Sequence, residues 1–219
     1  MFLQRSMVCT HDAVREWERK LAPRLSDTLR QRRHGTIGNR WYVDETYLRI
    51  RGQWRSLYRA RERDGHLVDR RLSATRDLAA AEACFRSAWT VTGVTPTRIT
   101  PDGHDAYPRA IWTVLGDHVR HRTHRYLNTH LEPDHRGIQP RYRPTTGLKT
   151  VVTAARFCRL FDEVRALRRP QTRRNPRLSR APRRAIHQRR FRQLRRIIAA
   201  ASLLPERSTS PTSPSWREF

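Results

Sequence analysis

The chain has 219 residues, 37% hydrophobic and 30% charged, with a net charge of +26 and a pI near 11.7. That length supports one well-buried domain with appendages, and no apolar run approaches membrane-spanning or signal-peptide character. So large a positive charge repels itself unless a polyanion neutralises it, which makes nucleic acid the expected partner, although arginine-rich codon usage inflates the number.

Residues 1–35 read as helical. Thr10 is a candidate N-cap with Asp12 in the first turn; Val14, Trp17 and Leu21 follow at helical spacing, and Pro23 is expected to end the helix. Trp17 is assigned to a core between helices. A second amphipathic piece is expected over residues 24–33, with Leu25 and Leu29 on one face, then a linker at residues 34–38. From Arg40 the period becomes strand-like. Arg40–Ile50 reads as a first strand, Gln53–Ala60 as a second after a turn at Gly52, and Leu67–Leu72 as a third after the Asp64-Gly65 hairpin signal. Thr75 and Asp77 open an Ala-rich helix to Trp89 with Ala80, Cys84, Phe85 and Ala88 facing inward. Residues 98–102 form a short strand, 107–115 a helix and 121–126 a fifth strand. A helix begins near Glu132, and another spans Thr150–Leu167. The order β-β-β-α-β-α-β-α predicts an α/β fold with a mixed sheet covered by helices. Residues 168–219 carry fifteen Arg against two Glu. Within them, residues 183–201 are read either as a basic helix or as part of a disordered tail.

Cys9, Cys84 and Cys158 are odd in number and widely spaced, which argues against a disulfide framework and a zinc site. The chemistry lies in the carboxylates. Asp is depleted in strands, so Asp44 in the middle of the first strand needs an edge or a cation. Asp102 ends the fourth strand and Glu132 starts a later helix. If these three converge, they repel one another unless a divalent cation sits among them, and Mg²⁺ suits hard oxygen ligands. A pair of such ions serves phosphodiester displacement, so a basic protein with this centre reads as a polynucleotidyl enzyme. Glu45 is assigned to the opposite sheet face as a solvated or paired carboxylate. Asp64 and Asp69 are assigned to turn and sheet surface, and Asp105 to helix capping. Asp134 is a weak rival to Glu132, from which it points away on a helix. His135 and Arg136 share a helical face with Glu132, Arg136 to hold a phosphate or orient the Glu. Arg141, Arg143 and Lys149 are candidates to line a DNA path. His118, His121, His124 and His130 lack ligand spacing and are assigned to the surface or to DNA contact.

Several blocks resemble the DDE transposases of the insertion-sequence-six family. They include Trp41-Tyr42-Val43-Asp44-Glu45-Thr46-Tyr47, Leu72-Ser73-Ala74-Thr75-Arg76-Asp77 and Asp102-Gly103-His104-Asp105-Ala106-Tyr107-Pro108. Tyr126-Leu127-Asn128, Glu132-Pro133-Asp134-His135-Arg136 and Gly147-Leu148-Lys149 continue the similarity in unbroken order over residues 8–170. The resemblance implies an RNase H-like catalytic domain at 36–167, a helical remnant of a DNA-binding helix-turn-helix at 1–35 and an Arg-rich tail at 168–219. It implies that Asp44, Asp102 and Glu132 are the catalytic and metal-binding triad, with two Mg²⁺ (or Mn²⁺) ions. Their reaction would be strand cleavage and transfer at insertion-sequence ends on double-stranded DNA. It also implies a homo-oligomer on transposon ends and target, and a cytoplasmic, nucleoid-associated, prokaryotic setting. Two departures stand out. Only the last helix of the upstream motif is recognisable, and Pro133 follows Glu132, so the helix there must start at or just before the Glu or kink at it. The alternatives are a catalytically inactive remnant that only binds DNA and a structural RNA-binding protein.

Overall fold

The computed structural model describes residues 2–4, 7–122, 148–169 and 179–203. β1 (Phe2–Gln4) and β2 (Met7–Cys9) form a small antiparallel pair, so the first residues are not helical as expected. α1 runs unbroken from His11 to Gln31, capped by Thr10, whose Oγ1 accepts from the Ala13 N–H. Pro23 therefore does not end it. A proline inside a helix removes one donor and crowds the preceding turn. Here Ala22, Leu25, Ser26 and Leu29 are buried on both sides of it, and their packing outweighs the local cost. Pro23→Ala is expected to stabilise the fold by about 1–3 kcal/mol, read as a higher urea midpoint. Trp17 on this helix is 49% exposed and does not belong to a core, contrary to expectation.

The main sheet has the order β5-β4-β3-β6-β7. β3 (Arg40–Ile50), β4 (Gln53–Glu62) and β5 (Leu67–Ser73) form an antiparallel meander, while β6 (Arg98–Thr100) and β7 (Arg120–His121) add in parallel beside β3. Arg51 (φ 50°) and Gly52 (φ 81°) make the β3–β4 reversal, with positive φ at both central positions, as a tight hairpin between twisted strands requires. The fifth strand begins at Arg120, one residue earlier than predicted. Its expected continuation and the helix expected near Glu132 lie outside the described residues. From β3 to β7, element order and the mixed sheet match the α/β fold expected from the sequence.

Alternation splits β3 between two cores. Trp41 and Val43 point to one face, packed with Tyr58, Ala60, Ile99 and the helices α2 (Leu78–Thr92) and α3 (Ala106–Leu115). Leu48 and Ile50 point to the other, packed with Leu57, Leu72 and α4 (Val151–Arg168). Capping fixes these helices: Asp77 accepts from the Ala80 N–H, Thr150 from the Thr153 N–H, and Gly93 closes α2 in the left-handed region. A parallel bridge between Ile50 and Leu148, with the Arg51 N–H donating to the Leu148 carbonyl, pins the entry of α4 to the end of β3. α5 (Arg180–Leu203) is a packed helix. Its Leu194 and Ile197 meet Leu25 and Leu29 of α1, with Leu160, Val164 and Leu167 of α4 alongside.

Charged side chains lie inside these layers. Arg59 donates to Asp162 at 3.2 Å, and both side chains are 1% exposed. Arg70 lies 3.8 Å from Asp162 and donates to the Cys158 carbonyl. Burial pulls the Arg70 guanidinium down to about 10 against the opposing pull of Asp162 and other carboxylates. From the last turn of α1, Arg30 reaches Asp69 at 2.9 Å, with the Ser87 hydroxyl on the same carboxylate, and Arg33 in the turn just beyond the helix clasps Glu163. Asp69 is thus buried, not at the sheet surface as expected. Burial alone would push its carboxyl up; Arg30, Ser87 and Arg33 outweigh that and hold it below its usual range.

Candidate active site

Asp44 stands in mid-strand on β3, on the sheet face that α4 covers further along. Its antiparallel partner on β4 is Arg59. Partners directly opposite share a face, so the Arg59 side chain starts beside Asp44 and runs inward to Asp162. The Asp44 Oδ1 accepts from the Glu45 N–H at 2.7 Å. Parallel pairing sets Tyr42 of β3 opposite Thr100 of β6. Two residues further along each chain stand Asp44 and Asp102, so the register delivers both carboxylates to the same end of the β3–β6 pair. The Asp102 Oδ1 accepts from the His104 N–H, which turns the chain toward α3.

Burial pushes the Asp102 carboxyl above its ordinary value; Glu45 and then Asp44 add like-charge repulsion, while the His104 N–H and Arg76 oppose the rise. Carboxylates brought to one end of a strand pair offer only hard oxygens, the donor type a divalent cation takes.

Glu45 points to the opposite face, and its side chain is only 2% exposed. It pairs with Arg76 and accepts from the Tyr107 hydroxyl at 2.6 Å. Of the two expectations for Glu45, the paired one holds and the solvated one does not. The Arg76 Nη2 also lies 3.8 Å from Asp102, so one guanidinium spans the buried Glu45 and the Asp102 carboxylate. Burial disfavours the Arg76 charge, but the bond to Glu45 and the surrounding anions raise its affinity for the proton. Burial and Glu45 together push the Tyr107 phenol well above its usual range. This Glu45–Arg76–Tyr107 cluster was not singled out in the sequence. Its signal was the charge beside Asp44 together with an Arg and a Tyr inside the two motifs that flank the β6 strand.

Asp105 occupies the N-cap position of α3 but makes no capping bond with its side chain, contrary to expectation. Lys149 is exposed at the entry to α4. His118 and His121 are exposed, and among the described residues no three His, Cys, Asp or Glu side chains gather as a metal-holding group. Glu132, Asp134, His135, Arg136, Arg141 and Arg143, with His124 and His130, lie outside the described residues. No described helix is long and apolar enough to cross a membrane.

Residues 38–171 match the DDE domain of IS240-type transposases. The chain is 32% identical over 141 residues to the transposase for insertion sequence-like element IS431mec of Staphylococcus aureus, covering 63% of this chain and 62% of that protein. It is 33% identical over 134 residues to the transposase for insertion sequence element IS257 in transposon Tn4003 of the same species, covering 60% and 59%. The chain thus spans about three fifths of the length of these curated relatives. Among solved structures it is similar to the HTLV-2 integrase catalytic core domain in complex with magnesium, in its dimeric form. That similarity has TM-score 0.43 and 17% identity, over 58% of this chain and 88% of that one. It is also similar to a chain of the simian T-cell lymphotropic virus intasome in complex with PP2A regulatory subunit B56 gamma. The TM-score there is 0.44 with 19% identity, over 59% and 49% of the two chains. Likenesses this loose carry no argument about function.

Proposed function

This chain belongs to the DDE domain family of IS240-type transposases, and from that premise we propose that it cuts and joins DNA strands at insertion-sequence ends. The observation that carries the chemical reading is the juxtaposition of Asp44 and Asp102 across the β3–β6 register, with the Asp102 carboxyl raised by burial and by its acidic neighbours. Asp44, Asp102 and Glu132 are the residues assigned to hold divalent ions, two Mg²⁺ or Mn²⁺. Bound there, the ions would neutralise the charge that builds on the phosphodiester during in-line displacement. The protein's part is to hold its ligands still. Pairing with Arg59 of β4 fixes the backbone of Asp44, two residues beyond the last β6-paired position, Tyr42. The turn at His104 and the Arg76 guanidinium orient Asp102. Arg136, Arg141, Arg143 and Lys149 are assigned to the DNA path. Double-stranded DNA, as transposon ends and as target, is the proposed substrate, and self-association on paired ends is the proposed working state.

A nicking assay on duplex DNA carrying the element's ends, with Mg²⁺ present, tests this reading. Asp44→Asn and Asp102→Asn are each expected to lower strand cleavage on the order of 10²–10³-fold while leaving DNA binding intact. Cleavage by the wild-type chain no greater than by Asp44→Asn would remove the enzymatic reading and leave a DNA-binding protein.

A further inference from the structure

α5 is 24 residues long and contains no acidic residue. At 100° per residue, Leu194 and Ile197 fall on one side, and these are the residues buried against α1 and α4. Arg189, Arg192, Arg195 and Arg196 fall on the opposite half of the helix, and all four are exposed. They span roughly 10 Å along the helix axis.

The arginines beneath them are arranged differently. Those that α1, α4 and the sheet turn toward one another are matched with carboxylates: Arg33 with Glu163, Arg59 with Asp162, Arg156 with Glu18, Arg159 with Asp27. Among the described residues no carboxylate pairs with Arg189, Arg192, Arg195 or Arg196. The helix is therefore anchored through its apolar side, and its outward side adds four positive charges that no described carboxylate compensates. A packed helix holds guanidinium groups in fixed positions, and a guanidinium matches phosphate oxygens two at a time. α5 also lies beyond residues 38–171, so nothing in the family match assigns it a role.

We propose that the outward face of α5 is a docking surface for the phosphate backbone of duplex DNA, with Arg189, Arg192, Arg195 and Arg196 as its contacts. This rests on DNA being the substrate, as proposed above, and adds where a stretch of it lies. α5 packs on α1 and α4, and α4 covers the sheet face to which Asp44 belongs, so the stripe is carried on the Asp44 side of the sheet. Phosphate contacts carry no base information, so the stripe serves affinity and register, not recognition of sequence.

The test is fluorescence anisotropy on the full chain with a labelled 30-base-pair duplex in EDTA, over a series of salt concentrations. Each phosphate contact contributes about 0.9 to the slope of log affinity against log salt. The variant Arg189→Gln, Arg192→Gln, Arg195→Gln, Arg196→Gln is expected to bind at least about tenfold more weakly at 0.15 M salt, with a slope reduced by about 3.6 units and equally for unrelated duplexes. The same four positions changed to Lys are expected to keep most of the slope. That outcome, with an unchanged urea midpoint, separates lost contacts from lost structure. An unchanged slope in the Gln variant overturns the proposal. A slope change seen with an RNA hairpin and not with DNA overturns it too, since the partner would then be RNA. The assay requires no catalysis. A wild-type chain that fails to nick while the Gln variant loses its slope leaves the stripe standing without the transposase reading. A chain that nicks while the slope holds does the opposite.

Discussion

Replacing Asp162 by Ala is expected to destabilise the fold by about 3–5 kcal/mol, because it strands a charge where water cannot reach it. Arg59 and Asp162 are each 1% exposed, and among the described residues the Nη1 and Nη2 groups of Arg59 have no hydrogen-bond partner. The pair therefore depends on the Nε–carboxylate contact, with Arg70 leaning on the same Asp from 3.8 Å. Removing Asp162 leaves two guanidinium groups facing each other across the gap. The measurement is the urea midpoint at constant m. A loss under about 0.5 kcal/mol, the size of an ordinary surface change, would show that Arg59 is not buried with Asp162 as described. The double variant Arg59→Met, Asp162→Leu is expected to recover most of the loss, since apolar replacement of both partners removes the desolvation penalty along with the attraction.

Glu45→Gln is expected to lower Mg²⁺-dependent nicking by about 10–100-fold with little change in stability. The substituted amide still accepts the Tyr107 hydroxyl through its oxygen, so the packing of α3 on the sheet survives. What disappears is the charge that holds Arg76 at Glu45. Freed from it, the guanidinium is drawn to Asp102, 3.8 Å away in the native arrangement, and competes there with a divalent ion. The loss should therefore appear as a raised Mg²⁺ requirement that excess metal largely reverses, checked independently by calorimetric titration of Mn²⁺ into the protein. A fall in rate that no metal concentration restores, with Mn²⁺ affinity unchanged, would show that Glu45 does not act through Arg76.

The meander and the helices α2 and α4 were legible because each carries a regular period and a recognisable end signal: Asp77 and Thr150 at the helix starts, Gly52, Gly65 and Gly93 as stops or turns; α3 was legible from its period alone, since Asp105 makes no capping bond. Pro23 misled because a local breaker was weighed without the burial of Leu25 and Leu29, which is decided by α4 and α5 far away in sequence. Asp69 misled for a related reason. Its burial follows from two arginines, Arg30 at the end of α1 and Arg33 just beyond it, that are lowered onto the edge of β5, and nothing around Asp69 itself announces them. In the proposed site, Asp44 stands out in the sequence as a carboxylate in an apolar strand, and Asp102 as a second one just past the end of another. The Glu45–Arg76–Tyr107 cluster was not. It is assembled from a strand face, the segment before α2 and the first turn of α3, and only the folded sheet brings those together.

The two carboxylates reached by Arg30 and Arg33 at and just beyond the end of α1, Asp69 and Glu163, have side chains only 2% exposed. Both sit in the portion of chain that matches the DDE domain, whereas Arg30 and Arg33, which neutralise them, lie before its first matched residue. The same helix supplies Leu25 and Leu29 to the apolar seam shared by α4 and α5. The unit that folds is thus wider than the unit that is shared with relatives. Excised at residues 38 and 171, the domain would keep its sheet and its acidic pair but expose an oily seam and two unmatched anions at its back. Its autonomy is borrowed from the segments on either side.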